Sequence, residues 1–175
     1  TGIFQDISTQ KKHQRKLEQT NLDLANANAA LTLAASVFSH AGECIIITGI
    51  SGIIVDVNDT FTAITGYSRE EAIGKNPRFL KSGSPEFYTE MWQALLKEDY
   101  WTGEVWNRRK DGEVYAVMTT ISAVRDRQGN VTHFVSLGND ITPMKEHQNQ
   151  LEHIAHYDVL TGLPNRSLLA DRLSQ

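Results

Sequence analysis

Val117-Met118-Thr119-Thr120-Ile121-Ser122-Ala123-Val124 alternates two sets of residues, Val117, Thr119, Ile121 and Ala123 against Met118, Thr120, Ser122 and Val124. A period of two sends successive side chains to opposite faces, so this run reads as a half-buried antiparallel strand, Glu113–Val124. Before it, Lys110-Asp111-Gly112 makes a hairpin turn after a strand over Gly103–Arg109. After it, Arg125-Asp126-Arg127-Gln128-Gly129-Asn130 turns into a third strand, Val131–Leu137.

Two shorter strands lie upstream, Cys44–Thr48 and Ile53–Val57, joined by the turn Gly49-Ile50-Ser51-Gly52. Short helical pieces fill Asp59 to Leu80. Ser68-Arg69-Glu70-Glu71 reads as a capping box, with Ser68 the cap and Glu71 the reciprocal acceptor. Ser84-Pro85 opens a further helix carrying Phe87, Met91, Trp92 and Leu95 on one face. The order is two strands, several short helices, then three strands. The fold class is therefore α+β: a five-stranded antiparallel sheet with short helices on one face.

Long helices flank that unit. From Thr9 to Phe38 there is no Gly or Pro, and Leu17, Leu24, Leu31 and Phe38 recur every seven residues, with Thr20, Ala27 and Ala34 three places after the first three. This spacing predicts a coiled-coil seam and a dimer. A second helix spans Pro143 to His156.

An internal repeat sets the organisation. Phe4-Gln5-Asp6-Ile7-Ser8 to Leu17-Glu18 aligns without a gap to Gly138-Asn139-Asp140-Ile141-Thr142 to Leu151-Glu152, sharing Asp, Ile, Lys, His, Gln, Leu and Glu. Each copy marks the end of a domain and the start of a helix. The expected organisation is residues 1–7 as the tail of a preceding domain, 8–36 as a signalling helix, 37–142 as the domain, 143–157 as a linker helix, and 158–175 as the start of another domain.

Composition narrows the function. With 40% hydrophobic and 22% charged residues a packed core is available. A net charge of −4 supplies no concentrated basic face, so nucleic acid is not the expected partner. Apolar runs such as Cys44–Ile47 are too short to span a bilayer, and Thr1–Ile7 lacks the basic flank and apolar core of a signal peptide, so a cytoplasmic location is expected. The one cysteine, Cys44, sits among isoleucines and reads as a reduced, buried residue. The six histidines show no clustered metal spacing, and no Ser/His/Asp or Cys/His catalytic set is visible; no catalytic and no metal-binding residue is expected. Thr119 and Ser122 could line a modest pocket or face solvent.

Several separated motifs resemble the PAS family with its C-terminal extension: Asn58, Phe61-Thr62-Ala63-Ile64-Thr65-Gly66-Tyr67-Ser68-Arg69-Glu70-Glu71, Ile73-Gly74-Lys75-Asn76, and the exit Gly138-Asn139-Asp140-Ile141-Thr142. The resemblance implies a sensory module that binds a small ligand or cofactor between sheet and helices, or none. It also implies dimerisation through the domain and its flanking helices. Asp158-Val159-Leu160-Thr161-Gly162-Leu163-Pro164-Asn165-Arg166 resembles the opening of a GGDEF domain, the diguanylate cyclase module, which implies such a domain in cis as the output, with Asp158 and Arg166 bracing the junction.

Two ligand segments resemble flavin-binding relatives. Gly74-Lys75-Asn76-Pro77-Arg78-Phe79-Leu80-Lys81 is similar to the Gly-x-Asn-Cys-Arg-Phe-Leu-Gln stretch of LOV photoreceptors; Asn76 and Arg78 match, but Pro77 replaces the adduct-forming cysteine, Lys81 replaces glutamine, and Gly138 stands where the last strand carries a flavin-reading glutamine. A covalent photoadduct by that route needs the missing thiol. Trp101-Thr102-Gly103-Glu104-Val105-Trp106-Asn107-Arg108-Arg109-Lys110 resembles the corresponding segment of FAD-binding redox-sensing PAS domains, which include a nitrogen-fixation regulator and an aerotaxis receptor. By that resemblance Trp101 and Asn107 join Asn76 and Arg78 as cofactor-binding residues, and FAD is the implied cofactor. A haem would need a histidine on the helix Pro85–Lys97, which has none. The alternative implied by the family is a cofactor-free dimerisation and relay module.

Overall fold

The computed structural model describes residues 2–81, 85–156 and 165, and side chains from residue 10, except those of 85–88. The chain divides into two units after Ala41.

The first unit is one helix, α1 (Gly2–His40). Its absence of Gly and Pro beyond Gly2 lets it run about 58 Å at 1.5 Å per residue. Side chains four apart brace it, as in Gln14 to Glu18 and Gln19 to Asp23. Leu17, Leu24 and Leu31 are all exposed, and Leu22 and Leu33, off the seven-residue line, are exposed too. The helix starts earlier than the sequence pattern predicts. Asp6 is helical where its repeat counterpart Asp140 is strand. The reason is pairing: residues 138–140 lie against a neighbouring strand, whereas a lone segment satisfies its backbone within a helix.

The second unit contains β1 (Cys44–Gly49), β2 (Ile54–Val57), α2 (Asp59–Thr65), α3 (Arg69–Ala72), a 3-10 turn (Pro77–Leu80), α4 (Pro85–Glu98), β3 (Tyr100–Arg108), β4 (Val114–Arg125), β5 (Val131–Asp140) and α5 (Thr142–His156). The strands form the five-stranded antiparallel sheet that the sequence pattern predicts, in the order β2-β1-β5-β4-β3.

Local chemistry fixes the joints. Buried Asn58 accepts from Ile45 N at 2.9 Å and Phe61 N at 3.0 Å and donates to Glu43 O at 2.8 Å, so one carboxamide ties β1 to the start of α2. Gly66 ends α2 at φ 75°, the left-handed conformation that glycine adopts without strain. The Ser68–Glu71 capping box forms as expected. The Ser84 cap lies outside the described residues, as does the Phe87 side chain. Met91 and Leu95 on α4 are buried. Phe61, Ile54, Val57, Ala72 and Leu80 make the core under α2 and α3, and burying each large side chain contributes about 1.5–3 kcal/mol.

Two strands are longer than their sequence pattern suggests. β3 begins at Tyr100 because Tyr100, Trp101 and Thr102 pair with Ser122, Ile121 and Thr120. β5 runs to Asp140 because Gly138, Asn139 and Asp140 pair with Thr119, Met118 and Val117. The chain then turns directly into α5.

Candidate functional site

A cavity of about 140 Å³ lies between the sheet and the helices. Register explains which strand residues face it. Cys44, Ile46 and Thr48 on β1, Phe134, Ser136 and Gly138 on β5, Val117, Thr119 and Ile121 on β4, and Val105 and Asn107 on β3 are alternate residues of one face. Thr119 therefore faces the cavity, whereas Ser122 stands on the opposite face and does not line it.

Asn76, Arg78 and Asn107 all line the cavity. Asn76 Oδ1 accepts from Arg78 N at 3.0 Å and so caps the 3-10 turn, while its Nδ2 lies close to Gly52. Asn107 stands directly opposite Tyr115 on the adjacent strand, and its carboxamide partly offsets the upward push of burial on the Tyr115 hydroxyl. Trp101 is not among the lining residues. It packs in the cluster of Met91, Val105, Trp92 and Ile121, with its ring laid so closely over Gly103 that a Cβ there would sit 2.5 Å from Cζ2. Only glycine at 103 admits that ring.

Electrostatics grade across the site. Burial pushes the Cys44 thiol up to about 12, so it stays protonated. Lys81, another lining residue, is pushed down to about 8, by burial first and then by the charge of Arg78. Burial likewise raises Tyr115 to about 12.

From this wall a polar line runs to the start of α5. The Arg109 guanidinium lies over the Tyr115 ring at 4.1 Å, donates to Ile64 O, and donates to Asp140 at 2.6 Å. Burial opposes the charge on Asp140, but hydrogen bonds from Arg109 and from Thr142 hold its carboxyl below the usual carboxylate range. Asp140 accepts from Thr142 N at 2.9 Å, and Thr142 Oγ1 accepts from Ala116 N at 2.9 Å. Ile141 N donates to Ala116 O at 2.9 Å. Lys145, in the first turns of α5, pairs with Glu104 at 2.8 Å and stands 5.6 Å from the centre of the Trp106 ring. The sequence carried Arg109 and Asp140 inside recognised motifs; nothing in it singled out Tyr115, whose place depends on register.

Among the described residues no cluster of three metal-ligating side chains occurs, and no helix is long and apolar enough to cross a membrane. Asp158 and Arg166 lie outside the described residues.

Residues 42–143 match the family described as "PAS domain". A nitrogen fixation regulatory protein from Klebsiella oxytoca is 36% identical over 105 residues, 59% of this chain and 21% of that protein. The chain thus matches about a fifth of that relative's length. A crystal structure of the PAS domain of a Colwellia psychrerythraea protein superposes with a TM-score of 0.61 at 27% identity, covering 65% of this chain and 98% of that one. A light-oxygen-voltage domain, solved in work on a flavin analogue, superposes with a TM-score of 0.54 at 26% identity, covering 68% of this chain and 96% of that one.

Proposed function

Because the chain belongs to the PAS domain family, we propose that it is a sensory module that detects a ligand or a redox change in its central cavity and relays it into α5. The observation carrying this reading is the contact line from Asn107 through Tyr115 and Arg109 to Asp140 and Thr142. A change of hydrogen bonding at Asn107 alters the position of the Tyr115 hydroxyl. The Arg109–Asp140 pair then transmits it to the first residue of the helix. Only an occupant with different affinity for the two arrangements can drive such a shift.

For the occupant the proposal is a flavin, FAD by resemblance, held by Asn76, Arg78 and Asn107, with Trp101 supporting the wall. A flavin supplies reversible one- and two-electron redox chemistry when bound. The donor set suits it: carboxamides match the donor–acceptor edge of the ring, and Arg78 offers a cation to a phosphate. The solved light-oxygen-voltage relative supports the same reading. The cavity volume favours a second reading. About 140 Å³ is the scale of a single benzene-like ring, below the roughly 300 Å³ of ordinary cofactor pockets, so a tricyclic ring requires the walls to open. A cofactor-free relay module needs no such opening.

An absorption spectrum of freshly purified protein separates the two. Bands near roughly 370 and 450 nm, with extractable flavin, support the first; a colourless folded protein refutes it. The output proposed is a GGDEF diguanylate cyclase domain in cis, producing cyclic di-GMP in the cytoplasm. Its support is the Asp158–Arg166 motif. Paired helices in a homodimer would set the spacing of two such domains. No catalysis is assigned to the present segment.

A further inference from the structure

Among the described residues of the second unit, four polar side chains are buried: Thr48, Asn58, Thr65 and Thr119. Asn58 makes three hydrogen bonds within the protein, and the Thr65 hydroxyl donates to Phe61 O at 2.8 Å. The two threonines on the sheet differ. Thr48 is 7% exposed and Thr119 is 8% exposed, both line the cavity, and neither hydroxyl meets a hydrogen-bond partner among the described residues. Their neighbours on the same face are Ile46, Val117 and Ile121, among which valine, the same size as threonine, would fit without a polar atom to satisfy.

The placement is ordered. Thr48 stands opposite Phe134, Thr119 stands opposite Gly138, and Ser136 lies between those two on β5. The three hydroxyl residues thus follow one diagonal of the sheet, with neighbours roughly 7 Å apart. Gly138 keeps the floor open at the inner end, since a Cβ there would lie 3.0 Å from Val117 Cγ1 and 3.8 Å from Cys44 Cβ.

We propose that this diagonal is a hydrogen-bonding strip for a planar ring ligand with polar atoms along one edge, such as an aromatic amide, lactam or imide. Threonine and serine hydroxyls both donate and accept, so the strip serves a carbonyl next to a ring N–H. The inference rests on reading the cavity as a ligand site, and it names the ligand's chemistry independently of whether that ligand is a flavin.

The test compares benzamide with toluene, one ring with and without a hydrogen-bonding group, by calorimetric titration of the whole chain. The wild type binds benzamide at least tenfold more tightly than toluene. Thr48→Val and Thr119→Val, combined, bring that ratio to one or below while the circular dichroism spectrum is unchanged. Equal or tighter binding of toluene by the wild type overturns the strip and leaves the cavity reading standing, as does an unchanged ratio in the valine variant. Binding of neither ring at millimolar concentration overturns both. If the valine pair fails to fold, Ser136→Ala with Thr119→Val removes two of the three hydroxyls and supplies the same ratio, and the strip stands only if it falls.

Discussion

The Arg109 guanidinium donates to the Asp140 carboxylate at 2.6 Å, joining the hairpin end of β3 to the last residue of β5 across the intervening β4. Each side chain is 17% exposed, so the pair is shielded from solvent but not sealed. The same Arg109 also reaches Glu113 at 2.9 Å and the Tyr115 ring. Asp140 in turn holds Thr142 N at the start of α5. One ion pair thus sits between the cavity wall and the start of α5.

Removing Arg109 leaves the shielded Asp140 carboxylate without its counter-charge, and removing Asp140 leaves Arg109 with only the more exposed Glu113. Arg109→Met and Asp140→Asn each lower stability by about 2–3 kcal/mol in urea unfolding, and the double variant loses less than the sum. The Asp140 carboxyl titrates below its unfolded value, so this contribution is present above the unfolded pKa of about 3.9 and is lost as pH falls through the folded value. The gap between wild type and Asp140→Asn therefore closes on acidification; a gap independent of pH contradicts the pairing.

Asn58 tests the joint between β1 and α2. Its carboxamide serves two N–H groups and one carbonyl while 2% exposed. Asn58→Ala leaves them unmet and costs on the order of 3 kcal/mol. Asn58→Asp keeps the two acceptor bonds but loses the donation to Glu43 O, and retains part of the stability. Equal loss in both variants would show that the acceptor bonds contribute nothing.

Lys81 predicts an unusual alkaline response. Its folded pKa of about 8 lies below the lysine value of about 10.4 in an unfolded chain. Between those values the unfolded state binds the extra proton, so stability contributed at this site rises with pH. Wild type gains stability relative to Lys81→Met between pH 8 and 10. Taking the difference removes the opposing effect of Cys44, whose thiol titrates only in the unfolded state over that range. A flat difference shows that Lys81 is not desolvated.

The exposed seam of α1 carries the dimer prediction. Leu24→Asp and Leu31→Asp put charges at positions that a coiled coil buries. Light scattering then reports a shift toward monomer. An unaltered mass places the interface elsewhere, and the exposed Met144, Leu151 and Ile154 of α5 become the next residues to change.

Much of this architecture was legible because it is written in local signals. Alternation in β4, the glycines of the two hairpins, Ser68–Glu71 and the Gly- and Pro-free run of α1 each act within a few residues. Strand ends were less legible: Tyr100–Thr102 and Gly138–Asp140 carry no strong pattern, and only their partners on β4 make them strand. The site divides the same way. Asn76, Arg78 and Asn107 came from motifs and meet at the cavity. Trp101, from the same motif as Asn107, turns its ring onto Gly103, and no motif encodes that rotamer. Tyr115, Thr48 and Thr119 gained their significance from register, which a linear reading does not supply.

The relay itself is tested most directly by hydrogen exchange in Asn107→Ala, which removes the cavity end of the contact line and leaves every residue of α5 intact. The account predicts faster exchange at the amides that anchor the helix, Ile141, Thr142 and Lys145, together with those around Tyr115. Faster exchange confined to β3 and the cavity wall, with Ile141, Thr142 and Lys145 protected as in the wild type, would contradict it.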